Sequence, residues 1–329
     1  MIHVELRKTV TILAVLIGFF VSPFTAQKAQ AQVCSATVNN VDFGSPNILS
    51  TNPTDALASV TVSCTHISFL TVVKICPSFG DGSGGSSNSI RQMRVGTGST
   101  LNYQLYQDSG HTAAWGAVNE PQLGTVPSIL LTAGLSGSAS ATETIYARLF
   151  GSQSSAATGS YISTFTGGDS AFTYSGFLLG ATNSCAGFVG SATIHPSFNV
   201  VASAPAYCTL TTTDLDFGIT GAIQAQISAQ TNLRVACTNK TPFSVSLDGG
   251  LAHAQPTQRK MTSPAGDSVT YGLYRDAART QGWGDTSSTW MGGTGIGADQ
   301  SLAIYGLVPI QPTPRPGSFS DRVIATVTY

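Results

Sequence analysis

The chain has 329 residues, a formal net charge of −1 and only 9% charged side chains. That length allows two domains of ordinary size, each with a core of its own. The near-neutral balance excludes the basic footprint that a nucleic-acid or anionic-membrane binder carries. A charged fraction far below the usual ~25% suits a Gly-, Ser- and Thr-rich extracellular β-structure better than a cytosolic enzyme.

The first element is a leader. Arg7 and Lys8 precede an apolar run from Thr9 to Val21. The run is shorter than the ~20 residues a membrane helix needs. Ala29-Gln30-Ala31 then puts small residues where a signal peptidase cuts. Residues 1–31 are therefore expected to be a secretory signal, with Gln32 opening the exported chain. Six cysteines follow, an even number suited to bridges in an oxidising compartment.

From Cys34 the chain runs through Asp42-Phe43-Gly44 to Val60-Thr61-Val62-Ser63-Cys64-Thr65, whose alternation is the period of a half-buried strand. A Gly/Ser loop at 80–85 leads to Arg91-Gln92-Met93. Then come Tyr103-Gln104-Leu105-Tyr106-Gln107-Asp108, Trp115-Gly116, a long loop, Thr144–Leu149 and Gly159-Ser160-Tyr161. The same order returns from Cys208: Asp216-Phe217-Gly218, Cys237, Arg259-Lys260-Met261, Tyr271-Gly272-Leu273-Tyr274-Arg275-Asp276, Trp283-Gly284, Gly317-Ser318-Phe319. From Tyr103/Tyr271 to Trp115/Trp283 the offset is 168 at every matching position. One chain carries two copies of one domain.

Short β runs between Gly, Asn and Asp turns, without a 3.6-residue apolar period, predict an all-β protein of two tandem sandwiches. The hinge is expected around Ser203-Ala204-Pro205-Ala206, giving residues 32–203 and 204–329 as the two domains. Cys34–Cys64 and Cys208–Cys237 hold the same places in the two copies and are expected to pair. Cys76 and Cys185 have no counterparts and are expected to pair with each other. Aligning Gly159 with Gly317 sets Tyr329 against Ala171. Beyond that point the first copy continues through Ala192–Val200, a run with one apolar face that predicts a strand. The second copy has no equivalent, so its sandwich is expected to lack its last strand, leaving a hydrophobic groove and unpaired backbone groups.

These motifs resemble the spore coat protein U domain family, which includes the subunits of archaic (Csu-type) chaperone–usher pili. The paired Cys, Asp-Phe-Gly, Arg-x-Met, Tyr-x-Leu-Tyr-x-Asp, Trp-Gly and the terminal Val327-Thr328-Tyr329 carry the likeness. The resemblance implies immunoglobulin-like folds, the second incomplete. It implies a periplasmic chaperone that lends the missing strand, an outer-membrane usher, and a next pilin subunit whose N-terminal strand replaces the chaperone's. Val323, Ala325, Val327 and Tyr329 are the candidate contacts for that strand. Only Gln32 and Val33 precede Cys34 after the expected cleavage, so the chain would accept a strand without donating one. That is the position of a tip adhesin, exported through the periplasm to the cell surface.

No catalytic constellation is visible: there is no Gly-x-Ser-x-Gly elbow, and Asp42, Asp108 and Asp276 read as turn formers. No enzyme activity, cofactor or nucleic-acid partner is expected. No metal site is expected either, because the five His are scattered and no Cys-x-x-Cys occurs. Trp115 and Trp283 could stack a sugar, but as aromatics common to both copies they are expected to fill cores. Asn239-Lys240-Thr241 matches a glycosylation sequon and is read as a chance match. The candidate binding residues are apolar runs of the first copy: Ile129-Leu130-Leu131, Phe177-Leu178-Leu179 and Ile48-Leu49. They are read as exposed loops that stick to an abiotic or host surface, the alternative being lids on the sandwich. Two other functions stay open: a glycan-binding pilus lectin, and a structural coat or matrix protein.

Overall fold

The computed structural model describes residues 32–96, 98–178 and 180–329; the expected signal peptide lies outside the described residues. The first copy comprises β1 (Val33–Val38), β2 (Val41–Asp42), β3 (Thr54–Thr65), β4 (Thr71–Phe79), β5 (Ser86–Ser87), β6 (Ile90–Val95), β7 (Ser99–Tyr106), β8 (Ile129–Thr132), β9 (Ala139–Leu149), β10 (Gly159–Phe165), β11 (Ser170–Leu178), β12 (Ala192–Ile194) and β13 (Phe198–Ala204). The second comprises β14 (Cys208–Thr212), β15 (Ile227–Cys237), β16 (Pro242–Leu247), β17 (Arg259–Thr262), β18 (Ser268–Tyr274), β19 (Met291–Thr294), β20 (Asp299–Val308) and β21 (Ala325–Thr328).

Each copy is a sandwich of two sheets around its own core. In the first, a nine-stranded sheet ordered β1-β3-β9-β7-β6-β10-β13-β2, with β5 beside β6, faces a four-stranded sheet ordered β12-β11-β4-β8. In the second, β14-β15-β20-β18-β17 faces β19-β16-β21. The alternation read in β3 is real: Val60, Val62 and Cys64 point into the core. Apart from Asp55, which pairs with Arg148 on β9 at 2.7 Å, the polar residues of its outer face are hydroxyls, and Thr61 pairs with Thr142 on β9 at 3.1 Å. Such cross-strand pairs suit a sheet with few ion pairs.

The bridges join Cys34 to Cys64, Cys208 to Cys237, and Cys76 to Cys185. The first two connect residues directly opposite each other on paired strands. The connector between the copies is short, because β13 ends at Ala204 and β14 begins at Cys208. Across it, the Asn239 side-chain amide donates to the Ser155 carbonyl at 2.7 Å, and Asn239 bridges Ala157. A Cβ on Gly297 would stand 1.8 Å from the Ser154 carbonyl oxygen, so only glycine fits that contact.

Two expectations need correction. The run 192–200 is not one strand. β12 pairs with β11 in the small sheet, and β13 pairs with β10 in the large one. The chain changes sheets at His195-Pro196-Ser197, where proline has no N–H to give a ladder. Nor does Tyr329 match Ala171. Val245 and Pro77 hold the same place, each accepting the indole N–H of its copy's tryptophan. Val245 pairs with Val327 and Pro77 with Phe172, which puts Tyr329 at the place of Tyr174. The difference is a short 3-10 turn, Gly167–Asp169, in the first copy.

Candidate functional site

The motifs shared by the two copies build the frame. The Arg91 guanidinium is fully buried. It donates to the carbonyls of Gly80 (2.7 Å), Phe79 (2.5 Å) and Trp115 (2.8 Å), and to the Gln104 side-chain oxygen. Arg259 does the same with Asp248, Leu247, Trp283 and Pro256. Each arginine ties the small sheet to the tryptophan turn, in a fork geometry that lysine lacks. Burial depresses both guanidinium groups, Arg91 to about 10. Trp115 and Trp283 are buried, so neither can stack a sugar. The Asp108 carboxylate accepts from the backbone N–H of Thr112 and Ala113, and Asp276 from Thr280 and Gln281. These aspartates close turns, as their place in the repeat implies.

The copies part at one edge. In the first sandwich, β13 lies between β10 and β2, antiparallel to one and parallel to the other. Phe198, Val200, Ala202 and Ala204 point inward, and beneath them Val41, Phe43, Tyr161 and Phe165 are all buried. Phe198 stacks on Phe165 at 4.5 Å. Among the described residues the second sandwich has no strand in this place. Leu215 and Phe217, which match Val41 and Phe43, stay half-buried. They open on a cavity of about 530 Å³ that Met261, Tyr271, Phe319 and Val323 also line.

The candidate strand contacts are not equivalent to one another. Val323 and Ala325 line this cavity. Ala325 and Val327 also belong to β21, paired with β16 in the small sheet and packed on the core. Tyr329 follows β21 and is exposed. Residues on the opposite wall, Leu215, Phe217 and Met261, were missed. Their signal was present in the repeat: they match Val41, Phe43 and Met93, all buried in the first copy.

The apolar candidates of the first copy divide. Ile129–Thr132 is the edge strand β8 on β4, and alternation sends Ile129 and Leu131 into the core while Leu130 points out, 38% exposed. Ile48 is buried and Leu49 half-buried. The expectation of exposed loops is therefore wrong for Ile48, Ile129 and Leu131. β8 also has a counterpart in β19, so it is part of the repeat. Phe177 and Leu178 end β11; Phe177 is half-buried and Leu178 is 71% exposed, while Leu179 lies outside the described residues.

Sequence reading missed the apolar residues around Leu178. Thr71 pairs with Leu178 and Val72 with Thr132, so the loops before β4 and after β8 and β11 leave the same end of the small sheet. They carry Phe69 (76% exposed), Leu135 (101%) and Val189 (90%). The segment bearing Val189 is stapled to β4 by the Cys76–Cys185 bridge. Buried Lys74 adds to this, donating to the Ser184 carbonyl with its ammonium 4.4 Å from the Phe188 ring. Such single apolar residues on loops give no periodic signal.

Asp81, Glu120 and Asp169 bring carboxylate oxygens within 4.8 Å of one another and are the group among the described residues that could hold a cation. Burial first, then the neighbouring carboxylates, pushes Glu120 and Asp169 up.

The Spore Coat Protein U domain model matches residues 21–167 and 194–326. The chain belongs to this family. A curated relative, Protein U of Myxococcus xanthus, is 29% identical over 117 residues, which are 34% of this chain and 65% of the relative. Among solved structures, the chaperone–tip adhesion subunit pre-assembly complex CsuC–CsuE, from archaic chaperone–usher Csu pili of Acinetobacter baumannii, is similar. The match has 18% identity and a TM-score of 0.52, and covers 90% of this chain and 100% of that one. The CupB6 tip adhesin of Pseudomonas aeruginosa matches at 10% identity and a TM-score of 0.38, over 90% of this chain and 93% of that one. At 18% identity the likeness to the CsuC–CsuE structure is one of fold alone.

Proposed function

We propose that the protein is the tip adhesin of an archaic chaperone–usher pilus, exported through the periplasm and displayed at the cell surface. The observation that carries this reading is the unequal repeat: one sandwich closed by β13, the other open along the same edge. An open apolar groove beside unpaired backbone groups invites a strand from another chain. In this reading a periplasmic chaperone fills the groove first. At the outer-membrane usher the N-terminal strand of the next pilin then takes its place. Residues 1–31 are the signal peptide, 32–203 the adhesin domain and 204–329 the pilin domain.

Attachment falls to the end of the first sandwich, where Phe69, Leu70, Leu135, Leu178 and Val189 stand exposed, with Leu130 beside them on β8. Burying apolar area against an abiotic or host surface gives roughly 25 cal/mol per Å², and this is the basis proposed for surface attachment and biofilm formation. Gold-labelled antibody against residues 32–203 tests the placement. One label at a fibre end is expected. Labels spaced along the fibre, or on a coat without fibres, would defeat it.

A further inference from the structure

We infer that Asp321 selects the strand that fills the groove, by requiring a hydrogen-bond donor where the first sandwich's own strand has Val200. The inference rests on reading the groove as a strand acceptor.

The register is fixed by the fold. Ile162 bridges Arg94 in the first copy, and Ser320 bridges Thr262 in the second. Arg94 and Thr262 are equivalent, so Ser163 and Asp321, each one residue on, share a place. Ser163 is fully buried, and the residue across from it on β13 is Val200, also fully buried. A serine tolerates this cover because it is small and neutral, and its hydroxyl accepts from the Gly84 N–H at 3.2 Å.

In the second copy a carboxylate stands there. Asp321 Oδ1 accepts from the backbone N–H of Leu251 and of Arg322, both at 2.8 Å, and Oδ2 accepts from the Tyr271 hydroxyl at 2.6 Å. The seat is built for it. A Cβ on Gly250 (φ +69°) would lie 2.1 Å from Oδ2, so glycine is needed at that turn. Among the described residues, no cationic side chain pairs with Asp321. A carboxylate offers about four lone-pair sites. Three are taken, and the residue lines the open cavity.

A covering strand takes Asp321 out of water. Sealing it beneath an aliphatic side chain leaves one acceptor site of a charged group unpaired, which is costly. A threonine has the shape of valine and adds one hydroxyl to fill that site. The groove is thus matched to an alternating apolar strand whose residue over Asp321 carries a hydroxyl donor, and it disfavours a copy of β13.

The test uses two labelled peptides, both with solubilising terminal lysines. One has the sequence of residues 197–205, and the other has the same sequence with Val200→Thr. Each is titrated by fluorescence anisotropy into the full chain and into its Asp321→Ser variant. The full chain should bind the threonine peptide about tenfold tighter, the size of one added bond to a charged group. Asp321→Ser should abolish or invert that preference. Equal binding of both peptides to both proteins overturns the role of Asp321 and leaves the groove standing. No binding of either peptide overturns the groove reading and the role of Asp321 with it. If Asp321→Ser loses its near-ultraviolet circular dichroism, Asp321→Asn carries the test. Its preference should fall to about two- to threefold, and an unchanged tenfold preference overturns the inference.

Discussion

Leu215 occupies in the second sandwich the place that Val41 occupies in the first. Val41 is sealed beside Val200 on β13, and Leu215 faces an open cavity. The same Asp-Phe-Gly turn follows each, and Asp42 and Asp216 each accept from the N–H two residues on. The local structure is shared; the cover is not.

That difference sets the first prediction. Val200→Ala should destabilise the first sandwich by about 2 kcal/mol, from lost burial and a cavity. Leu215→Ala should cost less than about half of that in the free chain, since its side chain is already partly in water. With a strand bound in the groove its cost should rise toward the full value. Urea unfolding with and without an added strand peptide checks this. A Leu215→Ala cost that does not change on adding the peptide would rule out cover at this edge.

Attachment should follow exposure rather than hydrophobicity alone. Phe69→Ser, Leu135→Ser and Leu178→Ser combined should cut binding to hydrophobic plastic by tenfold or more and leave the melting temperature within about 2 °C, since exposed changes cost little stability. Ile129→Ser and Leu131→Ser should instead destabilise the domain by about 2–4 kcal/mol each. Raising salt should leave wild-type attachment intact, because apolar contact has no charge term to screen. Competition by free sugars with no effect of the triple change would favour a lectin.

The buried arginines should resist even conservative change. Arg91→Lys or Arg259→Lys leaves carbonyls such as Phe79 and Leu247 short of donors, at a cost of about 2–4 kcal/mol. Thermal unfolding of each variant checks it. A loss below about 0.5 kcal/mol, the size of an ordinary surface change, would mean that water replaces the guanidinium.

The bridge from Cys76 to Cys185 closes a 109-residue separation. Replacing both cysteines by alanine should cost up to about 4–5 kcal/mol through the unfolded chain. It should also speed hydrogen exchange in residues 182–190, which β4 otherwise holds through Lys74 and Cys76. Exchange mass spectrometry reads both effects, and unaltered exchange in that segment would show that Lys74 and Phe188 hold it alone.

Acid should loosen both tryptophan-turn regions together. Backbone N–H groups, Ala113 foremost, hold Asp108 below the usual aspartate range; for Asp276 desolvation is the largest single effect and raises it, but the donors of Gln281 and Thr280 together outweigh it and hold it below that range too. Because the folded values are depressed, the stability these turns give is complete above the unfolded aspartate value near 3.9. It is lost as pH falls through the lower folded values. Melting temperature followed from pH 6 to 2 should drop below about pH 4, and less steeply in an Asp108→Asn, Asp276→Asn variant.

What the sequence by itself determined was the repeat and everything a repeat carries. Period-two runs such as Val60-Thr61-Val62 gave strands, because alternation is local. Matching positions fixed the bridges of each copy, the buried tryptophans and the turn aspartates, because one fold places them twice. The absence from the second copy of a counterpart to the region around 192–200 pointed to the groove. The tertiary structure decided where the chain changes sheets at Pro196, since only pairing partners separate β12 from β13. It decided that Ile129 and Leu131 face the core while Leu130 faces water, because an apolar triplet does not say which side of an edge strand is covered. It decided that Phe69, Leu135 and Val189 share an end with Leu178, since loops far apart in sequence meet only where their strands pair. And it put Asp321 beneath the open edge, where a residue unremarkable in sequence becomes a charge that any covering strand must answer.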